Sequence, residues 1–227
     1  MKRYFVLMAL VLVMVSGMKT EVAAQDQVLM SIEMFKDVSS AIGETYGIRF
    51  DLSGDPLKKV TRVYIQGPKG ARIWVNNTLN MNDIVLSAVN LSLDEFNRWF
   101  PEGTYRITMT PPVFGKLTAQ MSHNFPSTPA ILYPLDGSTD VPTNLTINWA
   151  PVTGITSLRL ILTDGVDSVF STGLPANTTS FTVPANVLKA NTRYELSLQA
   201  RLTDSLGNGL VTAMRISFTT AAPVVNP

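Results

Sequence analysis

The segment Arg193–Leu202 reads RYELSLQARL. Tyr194, Leu196, Leu198, Ala200 and Leu202 fall on one side of an extended chain, and Arg193, Glu195, Ser197, Gln199 and Arg201 on the other. Period-two alternation of this kind makes a strand with one buried and one wet face. A helix would scatter the same apolar groups around its circumference. The C-terminal half is therefore β-structured, and its neighbouring segments carry the same signature. Leu145, Ile147 and Trp149 alternate with Thr146 and Asn148, and Leu158, Leu160 and Leu162 with Arg159 and Ile161. Phe181–Val183 and Met214, Ile216 and Phe218 complete the set. Turn clusters separate these runs: Asp136-Gly137-Ser138, Pro151–Gly154, Asp164-Gly165, Pro175–Asn177 and Leu206–Gly209. Short strands punctuated this regularly over about 90 residues predict a seven-stranded sandwich.

The N-terminal half reads as a second β-structure. Tyr46–Leu52 alternates, and Gly54-Asp55-Pro56 ends it. Val60–Gln66 and Ala71–Val75 flank Gly67-Pro68-Lys69-Gly70, a spacing that predicts a hairpin around a type I turn. Ile84–Val89, Thr104–Thr110 and Lys116–Ser122 are further strand candidates. Ser92-Leu93-Asp94-Glu95 is a capping box, with Ser92 as N-cap. It predicts a short helix from Leu93 to Phe100, halted by Pro101, with Phe96, Trp99 and Phe100 turned toward the core. The expectation is an all-β chain of two consecutive β-sandwich domains, the first with one short helix, after a cleaved signal peptide. The boundaries are 1–24 for the signal peptide, 25–125 for the first domain, 126–130 for a Pro-rich linker and 131–221 for the second domain. His123 is read with the linker. Pro126 and Pro129 keep the linker extended.

The signal peptide rests on Met1-Lys2-Arg3, the apolar run Tyr4–Val15 and Val22-Ala23-Ala24 before Gln25. The apolar run is too short for a bilayer, which takes about 20 residues. Cys is absent, which excludes a disulfide framework, a lipid-bearing Cys and Cys-ligated metal. Export without disulfides points to a bacterial protein of the periplasm or the extracellular space. From Gln25 onward, 15 Lys and Arg stand against 16 Asp and Glu, so no basic field exists to hold nucleic acid. A hydrophobic content of 45% places the chain among globular rather than disordered ones.

Trp149 and the run Leu188-Lys189-Ala190-Asn191-Thr192-Arg193-Tyr194 resemble a fibronectin type III domain. Tyr133–Gly137, Asp140-Val141-Pro142, Asp204–Gly209 and Phe218-Thr219-Thr220 resemble bacterial Ig-like modules of surface-layer proteins. The resemblance implies that the Tyr194 hydroxyl caps backbone at a corner of the sandwich. Two positions depart from the commonest type III pattern: Ala190 stands where Pro is usual and Asn191 where Gly is usual. No family resemblance extends to 25–125.

Chemistry-bearing candidates are few. The single His, His123, has neither a nucleophile partner nor a ligand set. The carboxylate pairs Asp94 with Glu95, Asp136 with Asp140, and Asp164 with Asp167 all sit at a helix start or in turns, where acids are locally favoured. Calcium takes about six to eight oxygens, of which Asp136–Asp140 and Asp204–Asn208 supply only part. Trp74, Trp99 and Tyr105 form either a sugar-stacking face or core. No catalytic, cofactor or metal residue is assigned. The functional expectation is a non-catalytic binding or structural module, adhesion-like or accessory to a larger envelope assembly, whose partner is an envelope protein or polysaccharide. The alternative is a carbohydrate-binding accessory protein.

Overall fold

The structure is a computed structural model, and it describes residues 28–112, 117–203 and 208–223. The proposed signal peptide and its cleavage site, and residues 206 and 207 of the turn cluster at 206–209, lie outside the described residues. Within them the chain divides into two compact units. One holds 28–34, 46–112, 117–123 and Asn208; the other holds 35–45, 124–203 and 209–223. Both are β-sandwiches.

The strands of the first half are β1 (Leu29–Ser39), β2 (Gly43–Ser53), β3 (Arg62–Gln66), β4 (Arg72–Asn76), β5 (Asp83–Leu91), β6 (Gly103–Thr110) and β7 (Leu117–Met121). Helix α1 spans Leu93–Trp99. In the first unit, β5 pairs antiparallel with β2, and a second sheet runs β4-β3-β6-β7. The inward residues of the two sheets meet: Phe50 of β2 and Tyr105 of β6 lie 6.4 Å apart, ring centre to ring centre. Alternation in β6 sends Tyr105, Ile107 and Met109 inward, as the sequence predicts.

Three local readings of this unit change. The hairpin between β3 and β4 turns one residue later than a type I turn at Gly67–Gly70 would place it. Ala71 N–H donates to the Pro68 carbonyl at 2.9 Å. The central residues are therefore Lys69 and Gly70, both at positive φ (50° and 81°), the sign that matches strand twist in a two-residue hairpin. The capping box forms, with Glu95 N–H on the Ser92 hydroxyl at 3.3 Å and Ser92 N–H on the Glu95 carboxylate at 3.0 Å. The helix it starts buries Phe96 and is followed by buried Phe100, but leaves Trp99 exposed. Seven residues make about two turns, so only one stripe can face the core. His123 is no free linker residue: its ring lies 4.8 Å from Phe96, and Nε2–H donates to the Phe100 carbonyl at 2.9 Å.

The second half adds β8 (Ile131–Tyr133), β9 (Ser138–Val141), β10 (Thr146–Trp149), β11 (Ser157–Thr163), β12 (Ser168–Pro175), β13 (Ser180–Thr182), β14 (Arg193–Thr203) and β15 (Gly209–Thr220). One sheet runs β13-β10-β8 and the other β12-β11-β14-β15, with β9 parallel to β15. Ile147 and Trp149 of the first pack with Leu158, Leu160, Leu196 and Leu198 of the second in one core. The chain leaves β8 and enters β9 on the opposite sheet. Pro134 lacks an N–H to continue a ladder, and Gly137 bends at φ 76°.

The long strand forms as predicted, burying Tyr194, Leu196, Leu198 and Ala200, and all eleven residues of β14 pair with β15. Its outer face is drier than alternation alone predicts, because Ser197 is buried. Arg215 of β15 stands opposite Ser197 and donates to Glu195 at 3.0 Å on the same face. The same guanidinium reaches Asp37 at 3.1 Å. Asp37 belongs to the tip of the β1–β2 hairpin, which lies beside β15 in this unit and is braced by Lys36–Glu44 at 2.8 Å. The linker residues form no helix or strand, and the Pro126 carbonyl accepts from the buried Thr212 hydroxyl at 2.7 Å.

Candidate binding surfaces

Three of the acidic residues singled out by sequence, Glu95, Asp136 and Asp164, accept bonds from backbone. Glu95 closes the capping box, and its backbone and side-chain bonds to Ser92 hold its carboxyl below the usual range. Asp164 accepts from the N–H groups of Val166 and Asp167 at 3.1 and 2.9 Å, an Asx-type turn that lowers its pKa. Asp136 accepts from the Ser40 hydroxyl and, at 2.8 Å, from the Ser217 N–H. Those two bonds depress its pKa. Asp140 lies in the left-handed region at φ 56° and accepts the Thr139 hydroxyl at 3.3 Å. Among the described residues, no group of three or more His, Asp or Glu is placed to hold a metal ion. Glu95 performs cap chemistry, Asp164 turn chemistry, and Asp136 holds the backbone of Ser217.

Tyr194 is where the resemblance implies. Its ring is buried, and its hydroxyl accepts the Lys189 N–H at 2.8 Å. The surrounding corner is held by Thr220, whose hydroxyl donates to the Lys189 carbonyl at 2.6 Å and accepts from Thr192 N–H at 2.9 Å. Asn191 replaces the usual Gly without changing the backbone: it sits at φ 49°, a region that Asn enters more readily than other side-chain-bearing residues. Trp149 anchors the opposite sheet by donating Nε1–H to the Thr178 carbonyl at 2.8 Å.

The three aromatics considered for a sugar face separate. Tyr105 is core, and its hydroxyl donates to the Pro101 carbonyl at 2.9 Å. Trp99 lies half-exposed with Arg98 5.8 Å from its ring centre. Trp74 is 60% exposed. Its cross-strand partner on the outer face is Tyr64, which sequence reasoning passed over. The turn centre alone does not give the pair: a two-residue turn at Lys69-Gly70 sets Ile65 opposite Trp74, and the extra residue where Gly67 and Pro68 both bond Ala71 shifts the register to Tyr64.

The first unit also has a cleft of about 390 Å³ lined by Ile48, Phe50, Ile73, Val75, Leu86 and Phe100. A smaller hollow of about 200 Å³ adjoins it along Leu79, Met81 and Ile84. The cleft lies where β4 ends one sheet and β5 ends the other. The 76–82 segment beside it is tied internally: buried Asn77 donates to the Leu57 and Met81 carbonyls at 2.9 Å and accepts Met81 N–H at 2.8 Å.

This geometry makes the C-terminal half an Ig-like β-sandwich module. Residues 127–220 match the family of the bacterial Ig-like domain. Among solved structures, the chain is similar to the fn3 domain of human collagen alpha-1(XX) chain at 20% identity, over 48% of this chain and 95% of that one, with a TM-score of 0.33. A two-domain fibronectin type III segment of chicken tenascin matches at 13% identity over 78% and 92% of the respective chains, TM-score 0.31. The fibronectin(III)-like modules of Clostridium thermocellum CbhA match at 10% identity over 88% and 97%, TM-score 0.31. No curated protein matches the chain.

Proposed function

We propose that the chain is an exported, non-catalytic binding or structural module of the bacterial periplasm or cell exterior, adhesion-like or accessory to a larger envelope assembly. Its partner is a protein or polysaccharide of the envelope. The observation that carries this reading is the match of residues 127–220 to the bacterial Ig-like family, a class whose members commonly bind or build rather than catalyse. The employment of Asp136, Asp164 and Glu95 in backbone bonds supports it. So does the composition, which lacks Cys and has a single His. Among the described residues, no helix is long and apolar enough to cross a membrane. Export by a signal peptide ending at Ala24, and the domain boundaries at 125 and 131, belong to the same proposal. A carbohydrate-binding accessory role is the second reading, favoured by the exposed Trp74.

The test joins three measurements on exported protein. Intact mass should correspond to a chain beginning at Gln25. Envelope material should yield a defined protein or polysaccharide partner, and hydrolase and transferase assays should give no turnover. Turnover of a small substrate, abolished by changing one Asp or Glu, overturns the reading.

A further inference from the structure

The four strands β3, β4, β6 and β7 contain three Arg and no Asp or Glu. Strand register places all three Arg on one surface. Arg72 of β4, Gln66 of β3 and Arg106 of β6 form one cross-strand row. Trp74, Tyr64 and Thr108 form the next, and Asn76, Arg62 and Thr110 the third. This is the outward face, since the intervening Val63, Ile65, Tyr105, Ile107 and Met109 are buried. Arg62 donates Nε–H to Asn76 at 3.1 Å, which fixes one end of the platform. Among the described residues, the Arg72 and Arg106 side chains have no hydrogen-bonded or ionic partner. Glu102, the acid that precedes β6, is turned to the His123 N–H at 2.6 Å.

We infer that this face binds an acidic polysaccharide. The inference rests on the binding-module reading and names its surface and ligand class. An unpaired cationic pair two strand spacings apart, about 9.5 Å, calls for an anionic ligand with more than one charge. Guanidinium groups meet carboxylates in a planar fork. In the row beside this cationic pair lie the Trp74 and Tyr64 rings, flat apolar surfaces suited to stacking on a sugar ring. The remaining positions carry the amides of Gln66 and Asn76 and the hydroxyls of Thr108 and Thr110, donors and acceptors for a hydroxyl-rich ligand. A nucleic acid is disfavoured by the near-neutral charge of the chain, +1 overall. An acidic peptide makes poor use of a flat aromatic face bordered by amides and hydroxyls.

Exported full-chain protein is run in affinity electrophoresis against polygalacturonate, dextran, polyglutamate and oligothymidylate, at low and high salt. Polygalacturonate should retard it, and salt should weaken the retardation. Trp74→Ala and the double variant Arg72→Gln/Arg106→Gln should each lose about tenfold or more in affinity. Their melts should stay unchanged, because the substituted side chains are exposed. Retardation by polyglutamate or oligothymidylate as strong as by polygalacturonate overturns the inference, as does retardation that survives both variants. Indifference to polygalacturonate alongside continued capture of envelope material removes this face and leaves the binding-module reading standing.

Discussion

Tyr105 and Tyr194 solve the same problem in the two units with opposite polarity. Each ring is buried against a Phe from another strand: Phe50 at 6.4 Å for Tyr105, Phe218 at 5.8 Å for Tyr194. Tyr105 donates its hydroxyl to a carbonyl four residues upstream, and Tyr194 accepts an N–H five residues upstream. A phenol can do either, so burial of the ring does not dictate which backbone group it satisfies. What differs is the support. Around Tyr194 the bonds of Thr220 and the left-handed turn at Asn191 fix the corner. Around Tyr105 the support is steric: a Cβ at Gly67 would lie 2.3 Å from the ring, and one at Gly103 would lie 2.7 Å from Pro68. Hydrogen bonding holds one corner, and the absence of side-chain atoms permits the other.

The sharpest way to break this parallel is truncation. Tyr105→Ala and Tyr194→Ala should each destabilise by about 3–5 kcal/mol, whereas the Phe variants should cost about 1 kcal/mol from the lost bond alone. Denaturant melts decide, and a Phe variant as damaging as its Ala counterpart would show that the hydroxyl, not the ring, carries that corner. Burial holds the Tyr105 phenol protonated far above its ordinary range, so its contribution should be flat through neutral and mildly alkaline pH.

Gly67→Ala sharpens the steric half. The added methyl meets the Tyr105 ring rather than a flexible tail, so a loss of about 1–3 kcal/mol is expected. Gly173→Ala is the control. Nothing lies within 4 Å of a Cβ there, and removing a strand glycine should stabilise by about 0.5–1 kcal/mol. Matching melts for the two variants would remove the close-approach argument.

The smallest expected effect concerns Asp136. The Ser40 hydroxyl and Ser217 N–H favour its ionised form, so its folded pKa lies below its unfolded one. Its contribution is then full above about pH 4 and disappears as pH falls through the depressed folded value. Asp136→Asn should flatten that acid limb of the stability–pH curve and lower the plateau above it. An unaltered limb would show that the carboxylate does not clamp Ser217.

Legibility in the sequence followed exposure. β14, β11, β10 and β6 each bury one face, so period-two alternation found them. β15 was read only from Met214 onward, because Leu210–Ala213 are buried on successive residues and show no alternation. β1 was missed: its Phe35–Ser39 end holds Lys36 and Asp37 half-buried in ion pairs, which reads as polar chain. β12 was hidden by Gly173 and Pro175. The corner at Tyr194 is visible through the resemblance of Leu188–Tyr194 to the type III pattern, whereas no resemblance covers the segment around Tyr105, and a backbone partner leaves no residue type to read in either case. The Trp74–Tyr64 pair required both the turn centre and the extra residue where Gly67 and Pro68 bond the same Ala71, and a one-residue irregularity of that kind hides which side chains stand opposite each other.

The hairpin tip that meets β15 sets an order of events during synthesis. Asp37 and Arg215 are 178 positions apart. At about 5–20 residues per second, a ribosome separates their appearance by on the order of ten to forty seconds. For that interval the tip has been made but its neighbouring strand has not. Closure of the second unit must therefore wait for β15, and a fragment begun at the linker would emerge without residues 35–45 to cover that strand.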